Sequence, residues 1–99
     1  MINTFESVKA MEVQQVTDLT SEFALASKKS FHVFIVPGAG ASLDCGEVME
    51  ITAKPTQNTS STTVPLVVGT WNPIVLESIG ASAIDLTQYN VYISPIANY

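Results

Sequence analysis

"SFHVFIVPG", residues 30–38, decides the fold class. Phe31, Val33 and Ile35 alternate with His32, Phe34 and Val36, and Pro37-Gly38 ends the run. Period-two alternation of β-branched and aromatic residues, closed by a turn pair, is the signature of a strand. Both faces of this strand are apolar. It therefore predicts a central strand, or one whose second face, with Phe34 on it, meets a partner.

The rest of the chain follows the same rhythm. "EVMEITAKP", residues 47–55, sets Met49, Ile51 and Ala53 on one face and Glu50, Thr52 and Lys54 on the other. That is a half-buried antiparallel strand. "TQNTSSTT", residues 56–63, reads as a polar hairpin tip, followed by a strand "VPLVVGT" with Pro65 near its start. "NPIVLESIG" and "QYNVYIS" read as the next and last strands, the latter alternating Tyr89, Val91 and Ile93 with Asn90, Tyr92 and Ser94. Within residues 1–27, "EVQQVT" and "SEFALAS" read as two short strands across an Asp-Leu-Thr turn, so this stretch is an N-terminal arm or extra strands. The competing pattern is a helix face of Val8, Met11, Val16, Leu19 and Phe23. Turn residues punctuate the chain every 8 to 12 positions. The expected fold is all-β, a small antiparallel sandwich or barrel of jelly-roll or immunoglobulin-like kind, with six to eight short strands. The 99 residues make one domain.

Composition limits the function. Charged residues are 13% of the chain, about half the usual share, and mean hydropathy is +0.29. A small domain exposes much of its surface, so a weakly charged surface suits packing against neighbours. Net charge is −5, carried against four lysines and no arginine. Arginine is the usual fork for phosphates and base edges, so nucleic acid is not an expected partner. Anionic membrane is not one either. The N-terminus "MINTFESVKA" lacks the basic and apolar regions of a signal peptide, which predicts synthesis in a cytoplasm.

No catalytic motif stands out. His32 and Cys45 could form a base and nucleophile, but one lies in a strand and the other in a Gly-flanked turn. Asp44, Glu47 and Glu50 are close in sequence without the spacing of a calcium loop. One histidine and one cysteine cannot make a zinc site. "PGAG" at 37–40 lacks the third glycine of a phosphate loop, since Leu43 stands there. No enzyme, metal or cofactor is expected. The echo of "GASLD" at 40–44 in "GASAID" at 80–85 reads as shared turn chemistry. The aromatic residues remain. Trp71, the only tryptophan, lies between two apolar runs and before Asn72-Pro73. It is expected to pack across that corner, its N–H on a turn carbonyl, or to anchor an interface. Phe34, Tyr92, Ile96 and Tyr99 are further interface candidates, the last two for docking on a neighbouring subunit.

Residues 30–94 resemble small virion proteins of tailed bacteriophages. The pattern is a Gly-x-Trp/Tyr-x-Pro turn before a strand, then a loop and a final strand. Gly69, Trp71, Pro73, Ile74, Ile79 and Tyr92 stand at the matching places. Two departures matter: Glu77 stands where a basic residue is frequent, and residues 1–27 match nothing. The resemblance implies a head decoration, cement or minor capsid protein in the virion. It implies a homo-oligomer in contact with a major capsid protein or another virion protein. The alternative reading is a small carbohydrate- or surface-binding β-module, such as a head-fibre or tail-associated adhesin, which needs exposed aromatics in a row with polar groups nearby.

Overall fold

A computed structural model describes residues 12–96. It contains seven strands: β1 (Gln14–Val16), β2 (Phe23–Ala24), β3 (Phe31–Pro37), β4 (Val48–Pro55), β5 (Thr62–Val67), β6 (Leu76–Ile79) and β7 (Tyr89–Pro95). A single 3-10 turn at Ala26–Lys28 is the only helical piece among the described residues. None of it is long and apolar enough to cross a membrane as a helix.

The strands form one antiparallel sheet in the order β1-β7-β3-β6-β4-β5, with β2 beside β6. β3 and β2 share one edge of β6: Phe31 pairs with Leu76, and Phe23 with Ile79. The sheet turns at this junction. Inward residues of both halves then meet in a single hydrophobic cluster, which makes the all-β sandwich or barrel the sequence predicts. The cluster draws Phe31, Val33 and Ile35 from β3, Met49, Ile51 and Ala53 from β4, and Val91 and Ile93 from β7. Each large side chain buried in this way contributes about 1.5–3 kcal/mol relative to exposure.

Alternation explains the faces of β3, β4 and β7, but not β6. Leu76 and Ile79 are both fully buried although three positions apart. A regular strand would turn them to opposite faces. The register gives the reason: Pro55 pairs with Leu76, Lys54 with Ser78 and Ala53 with Ile79, so Glu77 is an extra residue. This bulge resets the phase and brings both apolar side chains inward. Glu77, the departure from the phage pattern, pairs outside with Lys54 at 3.0 Å.

The N-terminal segment forms the two short strands, β1 on β7 and β2 on β6. Val16 and Leu19 enter the core, and Phe23 meets Phe31 edge-on at 5.6 Å. Val8 and Met11, two of the five residues of the competing helix face, lie outside the described residues. Two boundaries differ from expectation. β5 begins at Thr62, so Pro65 stands in mid-strand opposite Glu50. It is tolerated because β5 is an edge strand. "NPIV", residues 72–75, is not strand but a corner, and only Leu76–Ile79 is extended into the sheet. The two Gly-Ala-Ser turns also differ. The first takes positive φ at Gly40, the second at Ser82, so they are not copies of one loop.

Candidate functional site: an aromatic face beside a pinned corner

Whatever β3 and β7 do not bury forms their outer face. His32 stands opposite Ser94, Phe34 opposite Tyr92 and Val36 opposite Asn90, while Gln15 of β1 lies beyond Tyr92. Opposed residues of an antiparallel pair project to the same side. The face therefore reads Gln15, His32, Phe34, Val36, Asn90, Tyr92 and Ser94, with no Asp, Glu, Lys or Arg among them.

Trp71 joins this face from the corner after β5. It bridges to Phe34 across the free edge of β3, and the two rings meet edge-on at 5.2 Å and 79°. That geometry matches the favoured aromatic pairing. Trp71 is half-buried, outside the core cluster. The indole packs on Phe34 at the corner, while the hydrogen bonds that tie the corner to β3 and β5 come from its neighbour, Asn72.

Asn72 is the pin. It is 3% exposed. Its Oδ1 accepts from the Val67 N–H at 2.7 Å. Its Nδ2 donates to the carbonyls of Val33 and Val67, both at 3.1 Å. Its own N–H donates to the Val33 carbonyl at 3.0 Å. One side chain thus ties the end of β5 to the edge of β3. Gly69 makes the approach possible: its φ is +91°, and a Cβ there would stand 2.6 Å from Cys45 Sγ.

The Asn72 carbonyl accepts from His32 Nδ1 at 2.8 Å. A carbonyl only accepts, so Nδ1 carries a proton and donates it. His32, Trp71, Asn72, Pro73 and Ser94 line a shallow depression of about 220 Å³. Ser94 is 6% exposed, and among the described residues its hydroxyl has no hydrogen-bond partner. No fully enclosed polar side-chain atom among them is unpaired.

The other sequence candidates fall elsewhere. Pro73 is exposed at the rim of the depression. Ile96 is half-buried and extends the β3–β7 pairing by donating its N–H to the Ser30 carbonyl at 2.9 Å. Tyr99 lies outside the described residues. His32 and Cys45 are not a pair: the first holds Asn72, and the second packs on Gly69. Glu47 accepts from the Asp44 N–H at 2.8 Å within its own turn. No group of three or more potential metal ligands occurs among the described residues.

Reading the sequence placed a turn at Asp-Leu-Thr 18–20 and a corner at Asn72-Pro73, but missed the role of the Asn72 side chain and the recurrence of Asp-Leu-Thr at 85–87. Asp18 Oδ1 accepts from the Thr20 N–H at 2.9 Å and its hydroxyl at 2.7 Å. Asp85 Oδ1 accepts from the Thr87 N–H at 2.9 Å and its hydroxyl at 2.6 Å. These bonds hold both carboxyls below the ordinary carboxylate value, the Thr20 amide leading at Asp18 and the Thr87 hydroxyl at Asp85. The two turns border one surface hollow. The repeated tripeptide was a legible signal for paired turns. Compared with protein-family models, curated proteins and solved structures, the chain matches none.

Proposed function

We propose that the chain is a non-enzymatic structural protein of a tailed-phage virion. It is made in the host cytoplasm and decorates or cements the capsid through contacts with its own copies and with a capsid protein. One observation carries this reading. The outer face of β3 and β7 presents Phe34, Trp71 and Tyr92, each half-buried, without a charged side chain. Interface centres are enriched in aromatic residues and depleted of charge in this way. Contacts of that kind resist salt, because little of their energy is Coulombic.

The test is the solution mass by light scattering after size-exclusion chromatography, at low and high salt, for the wild type and Tyr92→Lys. A salt-resistant oligomer that the lysine dissociates supports the proposal. A monomer at both salts that also fails to sediment with phage heads overturns it. A second reading, the small carbohydrate- or surface-binding module, is favoured by the half-buried tryptophan beside a small, mostly apolar depression that His32 and Ser94 also line. Binding of glycans by a monomer would select it.

A further inference from the structure

His32 is the only histidine in the chain, and it stands on the outer face of β3 and β7, where no side chain is charged. Between about pH 5 and 8 histidine is the side chain whose charge ordinarily changes. The ring is half-buried, and its Nδ1 donates to the Asn72 carbonyl at 2.8 Å. That bond uses a proton present in both the neutral and the charged ring, so charging leaves the corner tied. Among the described residues no counter-charge faces the ring. β7 sets Ser94 opposite it, with Tyr92 one pair further on. The corner brings Trp71, Asn72 and Pro73. β6 meets β3 at Leu76, and the adjacent Glu77 is held by Lys54 at 3.0 Å, the one salt bridge among the described residues. β1, beyond β7, sets Gln15 on this face.

We infer that this face packs on the same face of a second copy, and that His32 makes the contact pH-sensitive: copies hold together near neutral pH and part on acidification. The inference rests on the self-association in the virion reading and adds its regulation. Charge selects the occupant. The chain carries a net −5, so two copies repel wherever that charge is exposed and approach most easily through an uncharged face. A charged partner would bury its charges against groups that cannot pair with them. The fitting occupant is an uncharged aromatic surface, and this face is itself one. The outer face of β4 and β6 is not, since it carries Glu50, Lys54 and Glu77. Packed face to face, Phe34, Trp71 and Tyr92 of both copies exclude water around His32. A neutral imidazole tolerates that exclusion, whereas an imidazolium with no carboxylate beside it does not. Association therefore takes the neutral ring and sheds the proton of a charged one. Each proton shed weakens association by about tenfold per pH unit below the range in which the ring charges, and a pair of copies sheds two.

Sedimentation equilibrium of the full chain at about pH 7.5 and about pH 5.5, at one ionic strength, reads the association constant on either side of the histidine range. The wild type is expected to associate at least about tenfold more weakly at the lower pH, with its circular dichroism spectrum unchanged. In His32→Gln the ratio between the two pH values should fall to within about twofold. Should that variant not fold, the wild type decides alone through the reciprocal effect. The NMR signals of its one imidazole must then charge at lower pH in concentrated, associated solution than in dilute solution. Equal association at the two pH values, an equally pH-dependent variant, or a ring that charges alike at both concentrations overturns the inference and leaves the self-association reading standing. Tighter association at the lower pH would set a carboxylate of the neighbour against His32, and also overturns it. So does loss of the spectrum on acidification, which is unfolding and not release. A monomer at about pH 7.5 up to about millimolar concentration overturns both the inference and the self-association beneath it.

Discussion

Asn72 and Ser94 both line one small depression, and their polar atoms differ in their bonding. The Asn72 side chain is saturated, with one bond accepted and two donated to backbone groups within 3.1 Å. Ser94, nearly as buried, has a hydroxyl with no partner among the described residues. Saturated buried groups fix a structure, because each lost partner leaves a desolvated atom behind. A buried group left over does nothing for the fold. The contrast separates what holds this face from what it offers.

That contrast can be broken by stability measurements. Asn72→Ala has the largest expected effect, a loss of about 3 kcal/mol, since it strands the Val67 N–H and carbonyl and leaves the Val33 carbonyl with only the backbone N–H of residue 72. Trp71→Ala should cost about 2 kcal/mol, less than the ~3–5 typical of a fully buried tryptophan. Urea unfolding of both variants checks the order. If the tryptophan variant is the weaker, the indole and not the amide pins the corner.

The two tyrosines of β7 sharpen the same point one step down. Tyr89 is buried, and its hydroxyl accepts from the Leu43 N–H at 2.9 Å. Tyr92 is half-buried on the outer face. Tyr89→Phe should lose about 1 kcal/mol, and Tyr92→Phe should stay within about 0.5 kcal/mol of wild type. Thermal melting of the pair decides. Equal losses would mean that the outer face contributes to the fold as the inner one does.

Ser94→Ala should leave stability within about 0.5 kcal/mol of wild type, because no bond is removed. A loss of ~1 kcal/mol or more in urea unfolding would reveal a structural partner for the hydroxyl and end the distinction from Asn72.

The smallest effect concerns the paired Asp-Leu-Thr turns. Both carboxyls titrate below their ordinary value in the folded chain. Their contribution is therefore present above the unfolded value and lost as pH falls through the folded one. Stability should decline below about pH 4. The double variant Asp18→Asn, Asp85→Asn should lessen that decline, since Asn keeps the accepting oxygen without the titration. An unchanged acid limb in a pH series of melts would show that the turns carry none of it.

How much of this was legible in the chain differs from strand to strand. "FHVFIVP" and "VMEITAKP" gave away their inner faces, because alternation is a local property of extended backbone. The same local rule fails at Leu76-Glu77-Ser78-Ile79. There a bulge against Lys54 sets the phase, and the sequence within β6 carries no mark of it. The outer aromatic row was half legible. Phe34 and Tyr92 each stood on a visible alternation, but their opposition depends on the register of strands far apart in the chain.

By itself the sequence determined the class of object: an all-β fold, sparsely charged, with apolar stripes on its strands. Only the tertiary structure decided that Trp71 lies half-buried against Phe34 and that Asn72 closes the corner. The physical reason is range. Strand periodicity is written in neighbours two residues apart, whereas the Asn72 side chain reaches Val33 across 39 positions and His32 reaches back across 40. Burial of a polar group, and the bonds that justify it, exist only once such distant segments have met.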